Sequence, residues 1–193
     1  MCDRTVCDRS DRTAAFVVAG IFILTIVLGG IAVHADESVA TDLIGLMTEG
    51  IFEDVQSEYS AVIAANIFIN NLQASTILFI GGAAFGLITL LVLSINGFVI
   101  GIFVEFIRQE QGLCFVLAGI LPHGIFEIPA LLLAAMFGVL LGKELWNELH
   151  GSGDAIAVAE QNGKRFLVYV LPLLGIAAII EGFITPEIIQ LFI

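Results

Sequence analysis

The sequence predicts an all-helical bundle that crosses a membrane several times. Three observations carry that prediction. Hydrophobic residues make up 59% of the 193-residue chain and charged residues only 13%, against about 25% charged in ordinary soluble domains. Residues 14–33 and 61–104 carry no charge at all, and residues 113–142 and 166–193 carry one and two acids. A bilayer core about 30 Å thick takes about 20 apolar helical residues per crossing, and these runs have that length or a multiple of it. The formal net charge of −12 leaves no basic surface for nucleic acid.

Taken in order, the runs give five spans, at about 14–33, 61–80, 83–106, 113–142 and 166–185. All are helical, since isolated strands in lipid would leave backbone groups unpaired. The uncharged stretch 61–104 is too long for one crossing and divides naturally at Gly81-Gly82. The run from 113 has residues to spare, and Pro122, Pro129, Gly119 and Gly124 predict a broken or re-entrant helix near residues 112–129. The first run is longer than the 7–15 apolar residues of a signal peptide, so it is expected to stay as an anchor. The whole chain reads as one membrane domain: a tail at 1–13, an external acidic helix at 36–59 and a helical core at 60–190.

Basic residues set orientation. With the N-terminus in the cytoplasm of a cell-membrane protein, Arg4, Arg9, Arg12, Lys143, Lys164 and Arg165 fall inside and only Arg108 outside. Between residues 34 and 60 there are seven acids and no Lys or Arg. There Val39, Leu43, Met47, Ile51, Val55 and Tyr59 recur every fourth residue, with Asp42, Glu49, Glu53, Asp54 and Glu58 largely on other faces. This is the pattern of an amphipathic helix, covering the bundle or docking an external protein partner. Cys2 and Cys7 lie in the tail and lack the second pair a metal knuckle needs; Cys114, in an apolar run, is expected to pack.

Ionisable groups inside a span cost about 2.5–3.5 kcal/mol each on insertion scales, so they seek partners. His123 and Glu127 are four apart and share a helical face. Glu181 stands late in the last span, and a meeting of the three in the bundle interior is expected. One imidazole and two carboxylates suit a structural polar network, a divalent-metal site such as zinc, or a proton or ion pathway. Asn66, Asn70 and Gln73 share one face of the second span. Together with Asn71 and Asn96, they are expected to glue helices or to line the same polar centre. Gly82/Gly86, Gly97/Gly101 and Gly138/Gly142 are three GxxxG pairs. Their spacing allows close helix approach within one chain or between two.

Over roughly residues 60–190 the chain resembles the stage II sporulation protein M family of small multi-pass membrane proteins. The resemblance rests on Asn70-Asn71, the Gly82 to Gly86 spacing, Thr89, and Asn96-Gly97 followed by Gly101. Its sharpest parts are Pro122-His123-Gly124-x-x-Glu127-x-Pro129-Ala130 and Glu181-x-Phe183-x-Thr185-Pro186. In endospore formers, members of that family sit in a membrane complex with peptidoglycan-degrading partners, which implies a scaffold and not a hydrolase. The acidic helix and the cysteine-bearing tail lie outside the recognised part.

No Ser/His/Asp set, Walker motif or dinucleotide fingerprint is present, and catalysis is not expected. The leading expectation is a non-catalytic scaffold or subunit of a membrane complex, homodimeric in the bilayer. The alternative is a permease or ion-handling subunit that uses His123, Glu127 and Glu181.

Overall fold

The computed structural model describes residues 4–36, 38 and 60–192. The predicted acidic helix at 36–59 falls almost entirely outside the described residues, as does Cys2. Among the described residues, five helical stretches are long and apolar enough to cross a membrane: Ser10–Ala35, Ser60–Ala84, Leu87–Gln111, Leu113–Leu149 and Ala155–Ile189. No strand occurs among the described residues.

Helix α1 (Arg4–Ala35) begins well before its apolar run. The charged residues expected in a tail are therefore a helical extension. Helix α2 (Ser60–Ile80) ends in a 3-10 turn at Gly81–Ala84. The chain reverses at Phe85 (φ 55°) and Gly86 (φ 80°) and enters α3 (Leu87–Gln111). The break thus sits a few residues past Gly81-Gly82. Phe85 takes a left-handed conformation that only glycine adopts without strain, and its ring meets Trp146 edge-on at 6.1 Å.

Gly112 (φ 85°) separates α3 from α4 (Leu113–Leu149). Here the structure corrects the sequence reading: α4 is continuous, with Pro122 and Pro129 inside it and no re-entrant excursion. A proline costs a helix one N–H bond and a ring clash. In α4 that local loss is outweighed by packing along its inner face, because this helix is the most enclosed of the five spans. At 37 residues it is about 55 Å long, so its polar end, from Lys143, stands clear of a hydrocarbon core of about 30 Å.

A tight turn leads to α5 (Ala155–Arg165), where the Asp154 side chain accepts from the Ala157 N–H at 3.0 Å as N-cap. Glu144 and Glu148 accept from the N–H groups of Asp154 (3.1 Å) and Ala155 (2.9 Å), tying the turn to α4. The last span then runs on through a π turn (Phe166–Val170), α6 (Leu171–Ile179), a second π turn (Ile180–Ile184) and α7 (Thr185–Ile189).

Backbones approach closely wherever a glycine pair is present. A Cβ on Gly101 would run into the Ile26 carbonyl, one on Gly97 into Thr25 and Phe22, one on Gly82 into Gly138, and one on Gly138 into the Leu78 carbonyl and Thr89. A Cβ on Gly142 would meet the Phe85–Gly86 backbone. These glycines therefore serve packing inside one chain: α1 against α3, and α4 against the α2–α3 turn. Around them Phe22, Leu78, Leu93, Ala130, Ala134, Phe137, Val170 and Leu174 form the core.

Thr89, fully buried, donates its hydroxyl to the Leu78 carbonyl at 2.8 Å and so pins α3 to α2. Thr89→Val keeps the shape and strands that carbonyl. We expect it to cost about 1 kcal/mol, read as a lower unfolding midpoint in detergent titration.

The bundle has two distinct ends. At one, Lys143 donates to the Ser10 hydroxyl (2.8 Å) and Arg165 meets Asp11 (3.4 Å). At the other, Glu105 pairs with Arg108 (2.7 Å), accepts from Gln109 (2.8 Å) and lies 3.7 Å from His34. Cys114, expected to pack, is exposed.

A histidine and two glutamates at a three-helix junction

His123 and Glu127 project from one face of α4, one turn apart, as their spacing requires. Glu181 comes from the second π turn of the last span. A π turn holds one residue more than the α-helix it interrupts and often marks a functional position. Two local features accompany it. Pro186 has no N–H to continue the ladder, and the Ile180 carbonyl accepts from both the N–H and the hydroxyl (3.3 Å) of Thr185, five residues on. Gly182, beside Glu181, lets the last span sit on α2: a Cβ there would lie 2.7 Å from that of Ala64.

The three side chains converge. His123 Nε2 lies 3.9 Å from a carboxylate oxygen of Glu127 and 3.9 Å from one of Glu181. One ligating atom from each lies within 4.8 Å of the others. The 3.9 Å separations exceed hydrogen-bond range. They fall inside the limit for sharing an ion, since atoms each about 2.1 Å from one cation are at most about 4.2 Å apart. The two carboxylates need to close by less than an ångström to meet it. Asn71 stands beside Glu127 and brings α2 into the junction. His123 Nδ1 is buried with no hydrogen-bond partner, so Nε2 is the nitrogen that faces the acids.

The other amides expected near this centre lie elsewhere. Asn70 is exposed on the outer face of α2, because neighbouring helical positions point about 100° apart and Asn71 takes the inward direction. Asn66 and Gln73 share the outward face. Asn96 donates to the Val92 carbonyl of its own helix (2.8 Å). Sequence reasoning passed over Gly182 and the π turns. The glycine beside an intramembrane acid was a legible signal, whereas the extra residue in the turn leaves no mark in hydropathy.

Two uncharacterized proteins of Methanocaldococcus jannaschii are similar to this chain. MJ0793 is 35% identical over 127 residues, covering 64% of this chain and 71% of its own length. MJ0706 is 30% identical over 129 residues, and there the chain spans 65% of itself but only 56% of the relative. No solved structure matches. The family described as Stage II sporulation protein M matches residues 18–186, a stretch that reaches from α1 to α7 and holds all three members of the junction. With five apolar helices around it, this multi-pass membrane chain belongs to the stage II sporulation protein M family.

Proposed function

We propose that the chain is a non-catalytic scaffold subunit of a membrane complex, whose helices are clasped by one divalent cation held by His123, Glu127 and Glu181. The observation that carries this reading is the convergence within 4.8 Å of one imidazole and two carboxylates from two spans, His123 and Glu127 on α4 and Glu181 on the last. Imidazole with two carboxylates is a borderline donor set that suits Zn²⁺, with water or a further group completing the shell. In hydrocarbon, a shared cation offsets two carboxylate charges that each cost energy alone. The clasp joins the middle of α4 to the last span, and through Asn71 it reaches α2, so it acts on helix placement. The basic residues at 143, 164 and 165, beside the start of α1, support an orientation with that end in the cytoplasm of a cell-membrane protein.

Elemental analysis of the purified chain tests the reading. About one zinc-class ion per chain is expected after growth in metal-replete medium, falling below a tenth in His123→Ala. An apo protein that stays apo after zinc is supplied would overturn it. Ion flux into liposomes that depends on Glu127 would replace it with the transport alternative.

A further inference from the structure

Helix α2 presents an unusual face to the outside of the bundle. Asn66, Asn70 and Gln73 are exposed there, with no hydrogen-bond partner among the described residues. Counted from Ser60 they lie about 9–20 Å along the helix, at hydrocarbon depth. Among the five spans, α2 is both the least apolar and the least covered. A span poor in apolar residues normally faces protein, because an amide in lipid loses the hydrogen bonds it had in water.

The same face has the rhythm of a helix pair. Val62, Asn66, Ile69, Gln73, Ile77 and Ile80 are all exposed and step by 4, 3, 4, 4 and 3 residues. Such a seam packs knobs into holes against a second helix, and polar residues within it fix register. The GxxxG glycines are engaged within the chain, so they are not what a second molecule would meet.

We propose that this face of α2 is the contact between two copies of the chain, paired side by side about a two-fold axis along the membrane normal. The chemistry selects a second copy. An amide is donor and acceptor at once, and two chains of the same orientation bring Asn66, Asn70 and Gln73 to the same depths as their own partners. The chain's own segment 39–59 is a poor occupant. It carries five acids and no base, and covering Gln73 would draw them deep into hydrocarbon. The inference is independent of the metal reading.

The test uses the full-length chain in membranes, with Cys2, Cys7 and Cys114 replaced by serine. Asn66→Cys, Asn70→Cys and Gln73→Cys should each form a disulfide-linked dimer on mild oxidation. Leu24→Cys and Leu91→Cys, exposed on α1 and α3, should not. By sedimentation in micelles, the triple leucine variant N66L/N70L/Q73L should associate at least about tenfold more weakly than the parent. Leucines favour insertion, so this variant should fold. Cross-linking through Leu24 or Leu91 in place of α2 would overturn the proposal. So would a monomeric parent, or leucine substitutions that leave association unchanged.

Discussion

Gly138→Val should leave almost no folded protein. The new side chain would start inside the Leu78 carbonyl and against the Thr89 hydroxyl. Neither can retreat, since Leu78 and Thr89 are fully buried and bonded to each other. Overpacking against flexible side chains costs about 1–3 kcal/mol; against backbone the cost exceeds that and approaches the whole stability of a small protein, about 5–15 kcal/mol. The control is Gly20→Ala, where nothing lies within 4 Å. Alanine is the better helix former by up to about 1 kcal/mol, so that variant should match or exceed the parent. Monodispersity after extraction and the unfolding midpoint in detergent distinguish the two. Equal behaviour of both variants would show that α4 does not ride so closely on the α2–α3 turn.

His123→Leu should destabilise the bundle by about 2–3 kcal/mol, whereas the triple change of His123, Glu127 and Glu181 to leucine should restore most of that loss. Removing one member of an inward charge cluster strands the rest. In fully buried cases this costs about 3–5 kcal/mol, while complete apolar replacement is often neutral. The carboxylate side chains keep a quarter to a third of their surface exposed, which reduces the penalty. The signature is non-additivity: the triple variant should be more stable than the single one. Simple addition of the separate effects would show that the three groups do not act as a unit. A chelator should lower the unfolding midpoint of the parent and leave the triple variant unmoved.

Much of this architecture is legible without coordinates, and the physical reason differs from part to part. The spans are written in hydropathy because lipid admits nothing else over those lengths. The His123–Glu127 pairing follows from helical period alone. Glu181 could be drawn toward them only by the argument that an acid in hydrocarbon seeks company. The prolines of α4 misled, because their local cost is visible in sequence and the surrounding packing is not. Asn70 and Asn71 mark the same limit: adjacent and chemically identical, they point in different directions, and only the phase of α2 against its neighbours decides which one faces Glu127. The glycine pairs advertise close approach but cannot name the partner, which turns out to be the chain itself.

The two π turns of the last span bear on how its relatives diverge. Each turn accommodates one residue beyond the regular helical count. Because each wide turn absorbs its extra residue, losing one residue from Phe166–Val170 or Ile180–Ile184 would regularise the helix and leave what lies beyond in place, whereas losing one from the regular stretch Leu171–Ile179 would turn everything beyond it by about 100°. The span would remain as greasy as before and still cross the bilayer. A one-residue gap at either π turn in an alignment would therefore record a tightened turn and an unrotated span, while the same gap within 171–179 would swing Glu181 out of register with α4.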